Sequence, residues 1–166
     1  MTDTVNLVDP EKIHLNGVRL MEAHFETSEQ YLLKHTPPAR TNVQIGQATG
    51  LNIDHNVLVV KLEIILKGLD EQDIEVGLHA RYLIHFSFII DNLNDLVQIH
   101  DEKSNVDGLL GATVLSIAYS TARGIILERT QGSFFNGAIL PVVNISNLMN
   151  STASNPIDPP AKASVK

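Results

Sequence analysis

The 166-residue sequence contains no cysteine, which excludes disulfide bonds and thiolate metal sites. It also has no cluster of lysine and arginine, and its formal net charge is -7. Phosphate contacts require grouped basic side chains, so we expect no binding to nucleic acid. No apolar run approaches the roughly 20 residues that span a bilayer, and the acidic N-terminus differs from a signal peptide. These features predict a cytoplasmic protein without membrane insertion.

The composition suits one folded domain with flexible ends. Apolar residues make up 43% of the chain and charged residues 19%, which is enough apolar material for a buried core. We interpret residues 1–12 as a flexible N-terminal arm and residues 13–150 as the folded domain. Residues 151–166 are rich in proline, alanine and serine, a composition typical of a disordered tail.

The N-terminal third predicts one long strand followed by a connection. Apolar and polar residues alternate over residues 13–27, and the alternation slips at Asn16-Gly17, a dipeptide that bends or bulges strands. The segment from Ser28 to Arg40 contains Pro37-Pro38, which cannot continue a hydrogen-bonded ladder. We therefore expect a connection there that is too long for a hairpin turn.

Three further strands follow in the sequence. A short strand is predicted over residues 42–48, and two long alternating strands over 57–67 and 74–90 are joined by an acidic turn. The links between them are short or moderate, which favours antiparallel pairing. Residues 92–107 are polar and carry no predicted strand or helix.

After residue 107 the apolar spacing becomes that of a helix. Asp107 is a suitable N-cap, and we expect the helix to end near Gly132. An extended segment over 134–141 and a short helix over 144–150 complete the chain. The predicted fold class is α+β, a four-stranded antiparallel sheet with one long and one short C-terminal helix packed on one side.

The sequence offers no arrangement of residues that predicts catalysis or metal binding. His79 and His85 share one face of a predicted strand, but six residues place them roughly 20 Å apart. No HExxH or two-histidine-one-carboxylate spacing occurs. Ser116, Ser120 and Thr121 lie inside the long helix without a nucleophile elbow. We therefore predict no metal, no cofactor and no enzymatic activity.

Several apolar residues lie in the predicted connections or in the short final helix, where strand alternation does not explain their burial. Two explanations stay open: they cover the core, or they line an apolar groove that accepts extended peptides. These residues are Tyr31, Leu32, Leu33, Phe134, Phe135, Leu148 and Met149.

The C-terminal third carries a family resemblance. Residues 118–123 read Ala-Tyr-Ser-Thr-Ala-Arg, residues 132–134 read Gly-Ser-Phe, and residues 140–144 read Leu-Pro-Val-Val-Asn. This order resembles the SecB export-chaperone family. In that family a Tyr-Ala-Arg-like segment of a long helix precedes a Gly-Thr/Ser-Phe turn and a Pro-Val-Asn/Asp entry into the last helix. The order of the predicted strands agrees, so the resemblance covers about residues 13–149.

The resemblance implies an ATP-independent holdase chaperone that binds unfolded or extended polypeptides, such as preproteins for export. It implies a homotetramer built as a dimer of dimers, with clients held in outer grooves that would use the seven apolar residues named above. The long helix would supply much of the contact between dimers. The interface residues would be Leu110, Val114, Ile117 and Thr121. The implied partners are unfolded polypeptide clients and the export ATPase.

One feature departs from the family pattern. The family meets the export ATPase through an acidic sheet surface and the C-terminal region, whereas here strand 57–67 alternates Lys61, Glu63 and Lys67 on its polar face and the tail ends in Lys162 and Lys166. Docking on that ATPase is therefore an open question.

Two other functions stay open. The first is a SecB-like module dedicated to one specific partner, such as an antitoxin, or a purely structural interaction protein. A module that binds one folded partner, or that only assembles, would have a sealed groove with Tyr31 and Phe135 packed inward. A small-molecule enzyme would require a polar pocket that joins His79 or His85 to a carboxylate.

Overall fold

Four long strands form one antiparallel sheet in the computed structural model, which describes residues 8–34, 37–100 and 103–150. The strands are β1 Ile13–Thr27, β2 Arg40–Asn52, β3 Val57–Leu69 and β4 Glu75–Ile90. In space they run in the order β1-β4-β3-β2, with every neighbouring pair antiparallel. The predicted α+β fold with a four-stranded antiparallel sheet is confirmed.

The predicted terminal segments fall largely outside this description. Residues 1–7 of the predicted arm and the whole predicted tail, residues 151–166, lie outside the described residues. The rest of the arm ends in a one-turn 3-10 helix over Pro10–Lys12. Two more such turns cover Ile53–His55 and Leu93–Leu96.

The two central strands, β3 and β4, carry the core because apolar residues occupy every second position. Their core-facing side chains are buried, whereas the alternate side chains on the other face keep partial exposure. The buried residues are Leu58, Val60, Leu62, Ile64, Leu66, Leu78, Ala80, Tyr82, Ile84, Phe86, Phe88 and Ile90. The predicted alternation fails at Ile74, which precedes β4 and is 62% exposed.

Strand β1 is irregular because its pairing with β4 shifts register twice. The first shift lies between Leu15 and Gly17, where the sequence predicts a slip, and the second lies between Leu20 and Glu22. Each bulge adds one residue to one strand and increases the local twist. After both bulges, alternate β1 side chains still lie opposite core-facing residues of β4.

Two connecting segments and the bounds of one strand differ from the sequence prediction. The connection after β1 contains a short helix, α1, over Glu29–Lys34, and β2 extends beyond the predicted 42–48 at both ends. The polar stretch after β4 contains a hairpin of two four-residue strands, β5 Val97–His100 and β6 Lys103–Val106. Elements this short complete too few periods for their spacing to identify them.

Two further helices follow the hairpin, α2 Gly108–Arg129 and α3 Ile145–Asn150. The Asp107 side chain caps α2 as predicted, since its Oδ1 accepts the backbone N–H groups of Leu109 and Leu110 at 2.9 and 3.1 Å. α2 packs on the sheet and completes the core, which confirms the predicted helical layer. Its buried residues are Leu110, Val114, Leu115, Ala118, Tyr119, Ala122 and Ile126.

The segment that returns from α2 to α3 begins in tight turns instead of the predicted extended conformation. The Phe135 N–H donates to Ser133 Oγ at 3.1 Å and the Asn136 N–H donates to the Ser133 carbonyl at 3.0 Å. Farther along, the segment is fixed to α2 by two side chains. The Tyr119 hydroxyl donates to the Pro141 carbonyl at 2.7 Å, and Arg123 Nε donates to the carbonyl of the preceding residue at 3.2 Å.

The length and composition of α2 differ from the expectation that no segment is long and apolar enough to span a bilayer. With 22 residues and a mean hydropathy of 1.4 over its most apolar window, α2 is long and apolar enough to cross a membrane by length and composition alone. Core helices of globular proteins pass the same test, and 39% of this window is buried inside the protein. The property is weak evidence for a membrane span.

Candidate peptide-binding site

Helix α1 crosses the end of the sheet and is fixed there by the residue before it. The Ser28 N–H donates to the Gly77 carbonyl at 2.8 Å, and Ser28 Oγ accepts the Tyr31 N–H at 3.2 Å. Gly77 has a φ of +78°, and a Cβ at this position would overlap the Ser28 side chain. Glycine therefore permits both the backbone conformation and the close approach of α1 to β4.

The docked helix places Tyr31 in an aromatic cluster. The Tyr31 ring meets the Phe134 ring edge to face at a centroid distance of 5.2 Å, and Phe25 meets Phe135 in a similar way at 5.6 Å. Tyr31 is 3% exposed, and its buried hydroxyl has no hydrogen-bond partner within the described chain. Burial raises the pKa of the Tyr31 phenol, because desolvation disfavours the phenolate.

A cavity of about 850 Å³ lies beside Tyr31, between α1 and the turn that joins β3 to β4. Its lining combines the apolar side chains of Pro37, Pro38, Ile74 and Val76 with polar groups from α1 and the turn. A cavity of this size and mixed lining is within the range of known ligand pockets. It is large enough for several side chains of an extended peptide.

Two predicted site residues on α1 remain open to solvent. Leu32 is 43% exposed and Leu33 is 81% exposed, on the side of α1 away from the core. By contrast, Tyr31 and Phe135 are 3% and 5% exposed and pack inward, as the alternative of a dedicated module expects. The structure thus separates the seven predicted residues into inward-packed and exposed members, and their role in binding peptides stays a prediction.

The last two predicted residues lie at the other end of α2. Leu148 is buried, and the Met149 methyl group lies so close to Gly111 that a Cβ there would approach it to 3.1 Å. Phe134 instead follows the C-terminal end of α2. From Gly111 to Arg129 an α-helix rises roughly 27 Å at about 1.5 Å per residue. The structure therefore forms two separate clusters from the predicted residues instead of one short pocket.

The predicted interface residues on α2 face different environments. Leu110 and Val114 are fully buried between α2 and the sheet of the same protomer. Ile117 and Thr121, which follow at helical spacing on the same side of α2, are half-buried, and Ile117 packs against the same core. Leu110 and Val114 therefore serve the core of this chain, and a role of the four residues in an oligomer interface stays a prediction.

Sequence reasoning missed an apolar row on the edge strand β1. The row lies opposite core-facing residues of β4, yet each of its large side chains is between 36% and 42% exposed. It consists of Leu15, Val18, Leu20 and Phe25. The strand alternation could not show that α2 covers the central strands and leaves the edge open.

The histidine and carboxylate side chains considered for an enzyme or metal site form surface ion pairs. His79 Nε2 lies 3.2 Å from Glu75 Oε2, but Lys67 Nζ contacts the same carboxylate at 2.6 Å and the cluster is open to solvent. These contacts, led by the hydrogen bond from Lys67, lower the pKa of Glu75. Within residues 8–34, 37–100 and 103–150, no group of three or more histidine and carboxylate residues is arranged to bind a metal ion.

Comparison with solved structures identifies the class of fold. No protein-family model and no curated protein sequence matches this chain. The chain is similar to the SecB-like chaperone Rv1957 of Mycobacterium tuberculosis, solved in complex with a ChAD peptide from the HigA1 antitoxin. The TM-score is 0.56 at 13% identity, over 81% of this chain and 92% of that chain. The chain therefore has a SecB-like fold.

A second structure is more distant. It is a protein of unknown function from Streptococcus agalactiae, which is 11% identical over 78% of this chain and 97% of that chain, with a TM-score of 0.40.

Proposed function

We propose that the protein is an ATP-independent holdase chaperone that binds unfolded or extended polypeptides in apolar surface grooves. The observation that carries the proposal is the exposure of aliphatic side chains on helix α1 and in the lining of the cavity at Tyr31. Leu33 of α1 is 81% exposed, and Ile74, which lines the cavity, is 62% exposed. Exposed aliphatic residues beside a cavity are typical of interaction sites. The SecB-like fold supports this use of the surface.

The binding mechanism follows from the burial of apolar surface and needs no nucleotide. An extended client segment would cover the exposed leucines of α1 and place apolar side chains in the cavity, at roughly 25 cal/mol for each Å² removed from water. Individual contacts of this kind are weak and tolerate many sequences. Several sites on one client, or on several protomers, raise the overall affinity by increasing the effective concentration.

We also propose the homotetramer, a dimer of dimers, that the family resemblance implies. The edge strand β1 supports this proposal, because an unpaired edge with an apolar row is a template for association with another chain. Val18 and Leu20 lie on this edge beside the outer side of α2 near Ile125. A second protomer on this surface would cover them together with Ile117 and Thr121.

A second candidate function is a SecB-like module dedicated to one partner, such as an antitoxin. The inward packing of Tyr31 and Phe135 favours it, because less aromatic surface is left for general clients. The similar Mycobacterium protein bound to an antitoxin peptide also supports it. Delivery of clients to the export ATPase and a cytoplasmic location stay proposals under both candidates.

Suppression of aggregation tests the proposed function. A chemically unfolded client should remain soluble at near one tetramer per client, equally with and without ATP, and light scattering should show the tetramer in the same sample. Suppression that requires ATP would contradict the proposal. An intact oligomer that leaves general clients to aggregate would favour the dedicated module, and binding of one specific peptide would then identify its partner.

A further inference from the structure

The face of the sheet opposite the helices carries three basic side chains in one row. In the strand register, His85 of β4 pairs with Arg19 of β1 on one side and with Lys61 of β3 on the other. Neighbouring strands lie about 4.8 Å apart, so the Cα atoms of Arg19 and Lys61 lie about 10 Å apart with His85 between them. Arg19 is exposed, and the other two side chains keep partial exposure.

This row has no acidic partner. The nearest carboxylates on the same face, Glu22 and Glu63, are both bonded to Arg81. Neither Arg19 nor Lys61 forms an ion pair in the part of the chain that the structure describes. Arg19 and Lys61 lie on either side of His85, so both positive charges are available to an anion that lies between them.

His85 itself points to a missing partner. Its Nε2 atom is buried and forms no hydrogen bond within the described residues. Buried polar atoms in native proteins nearly always have a partner. Burial and the nearby Lys61 ammonium also lower the pKa of His85, so a bound anion would reverse this shift.

The surroundings of the row leave room for a polypeptide. Gly17 and Gly50 lie on the same face of the sheet, in the row next to that of Arg19, His85 and Lys61. A Cβ at either glycine would meet no atom within 4 Å. Val59, Leu83 and Ile89 are partly exposed apolar residues on this face. Basic side chains with adjacent apolar surface suit a carboxylate-bearing chain better than a free ion.

The distribution of charge agrees with an acidic partner. The outward face of the four strands carries five lysine or arginine residues and four glutamates, whereas the chain as a whole has a net charge of -7. This face is therefore less negative than the rest of the surface. A single row of three basic residues is too small to bind a nucleic acid, which requires many phosphate contacts.

We propose that Arg19, Lys61 and His85 form a docking site for a glutamate- or aspartate-rich segment of a partner protein. The site lies on the opposite face of the sheet from the cavity at Tyr31, so a partner and a client would bind at the same time. Arg19 and Lys61 would pair with carboxylates, and His85 would donate a hydrogen bond from Nε2. The site is independent of the proposed holdase activity.

Titration of the full-length protein with a glutamate-rich peptide tests the site. Calorimetry should show binding that weakens at least tenfold in Lys61→Gln and in Arg19→Gln, and NMR should show a raised pKa of His85 in the complex. Lys67→Gln is the matched control, because it removes the same charge from the same face of β3, where Lys67 is already paired with Glu75. It should bind the peptide like the wild type.

Three results would overturn the proposal. The first is no binding of the peptide to the wild type. The second is an equal loss of affinity in Lys61→Gln and Lys67→Gln, which would indicate a nonspecific effect of net charge. The third is binding of inorganic phosphate as tightly as the peptide, which would indicate a small-anion site instead of a protein docking site.

Discussion

The Tyr31 ring meets the Phe134 ring edge to face, with centroids 5.2 Å apart, and joins the crossover helix α1 to the turn that follows α2. In this contact the Tyr31 ring is buried, so it does not face solvent in the peptide groove that the sequence predicts. The exposed aliphatic side chains in this region are Leu32 and Leu33 on α1 and Ile74 in the lining of the cavity.

Replacement of Tyr31 by phenylalanine should stabilise the protein. The substitution keeps the ring and removes a buried hydroxyl that has no hydrogen-bond partner. Because an unsatisfied buried polar group costs free energy, we expect the free energy of unfolding in urea to rise by about 1 kcal/mol. A fall of similar size would show that the hydroxyl has a partner in the folded protein, such as an ordered water.

Replacement of Gly77 by alanine should release helix α1. The new Cβ would overlap the Ser28 side chain at a φ of +78°, so we expect a loss of about 2 kcal/mol or more in the free energy of unfolding. Gly17→Ala is the matched control, since a Cβ there meets nothing within 4 Å. Equal urea midpoints for the two variants would contradict the role given to Gly77.

Substitution on the β1 edge should change the oligomeric state. Val18→Glu with Leu20→Glu places two charges in the exposed apolar row, and we expect light scattering to show dissociation of the oligomer. Ile99→Glu, at a 63% exposed position on the β5–β6 hairpin, should leave the mass unchanged. Persistence of the wild-type mass in the double variant would mean that subunits associate through another surface.

The pH dependence of stability should include a contribution from His85. Its pKa in the folded protein is lowered from 6.5 by burial and by the nearby Lys61 ammonium. The unfolded chain therefore binds this proton first as the pH falls. Stability should be complete above pH 6.5 and should decline as the pH falls through that value towards the folded pKa.

His85→Gln checks this assignment. Urea unfolding between pH 7.5 and 5.5 should show a smaller loss of stability in the variant than in the wild type. This range lies above the pKa of Glu75, which is lowered from 4.5. Any stability that Glu75 contributes is therefore complete in this range and is lost only at lower pH. Parallel curves for the two proteins would assign the pH dependence to other groups.

The sequence predicted the long elements because their periodicity is strong. Strands β3 and β4 bury every second residue over more than ten positions, and α2 begins at the predicted cap Asp107. The motif that carries the SecB resemblance also has a structural reason, since Tyr119 and Arg123 hold the returning segment at Pro141 and its neighbour. Local patterns of this kind reflect contacts that the residues make themselves.

The candidate site was harder to predict because tertiary packing decides exposure there. Tyr31 and Leu33 are apolar neighbours in one connection, yet one is 3% and the other 81% exposed. Which of them faces the core depends on the docking of α1 on Gly77, a residue far away in the sequence. The open edge of β1 likewise depends on where α2 crosses the sheet.

The central claim is that unfolded clients bind at helix α1. The affinity of α1 variants for a client tests this claim most directly. Leu32→Ser with Leu33→Ser should raise the Kd of a labelled unfolded client by about tenfold or more, while the free energy of unfolding changes by no more than about 0.5 kcal/mol. Ile99→Ser removes an exposed aliphatic group elsewhere, with an exposure of 63% that lies between those of Leu32 and Leu33, and should bind like the wild type. An unchanged Kd in the double variant would contradict client binding at α1.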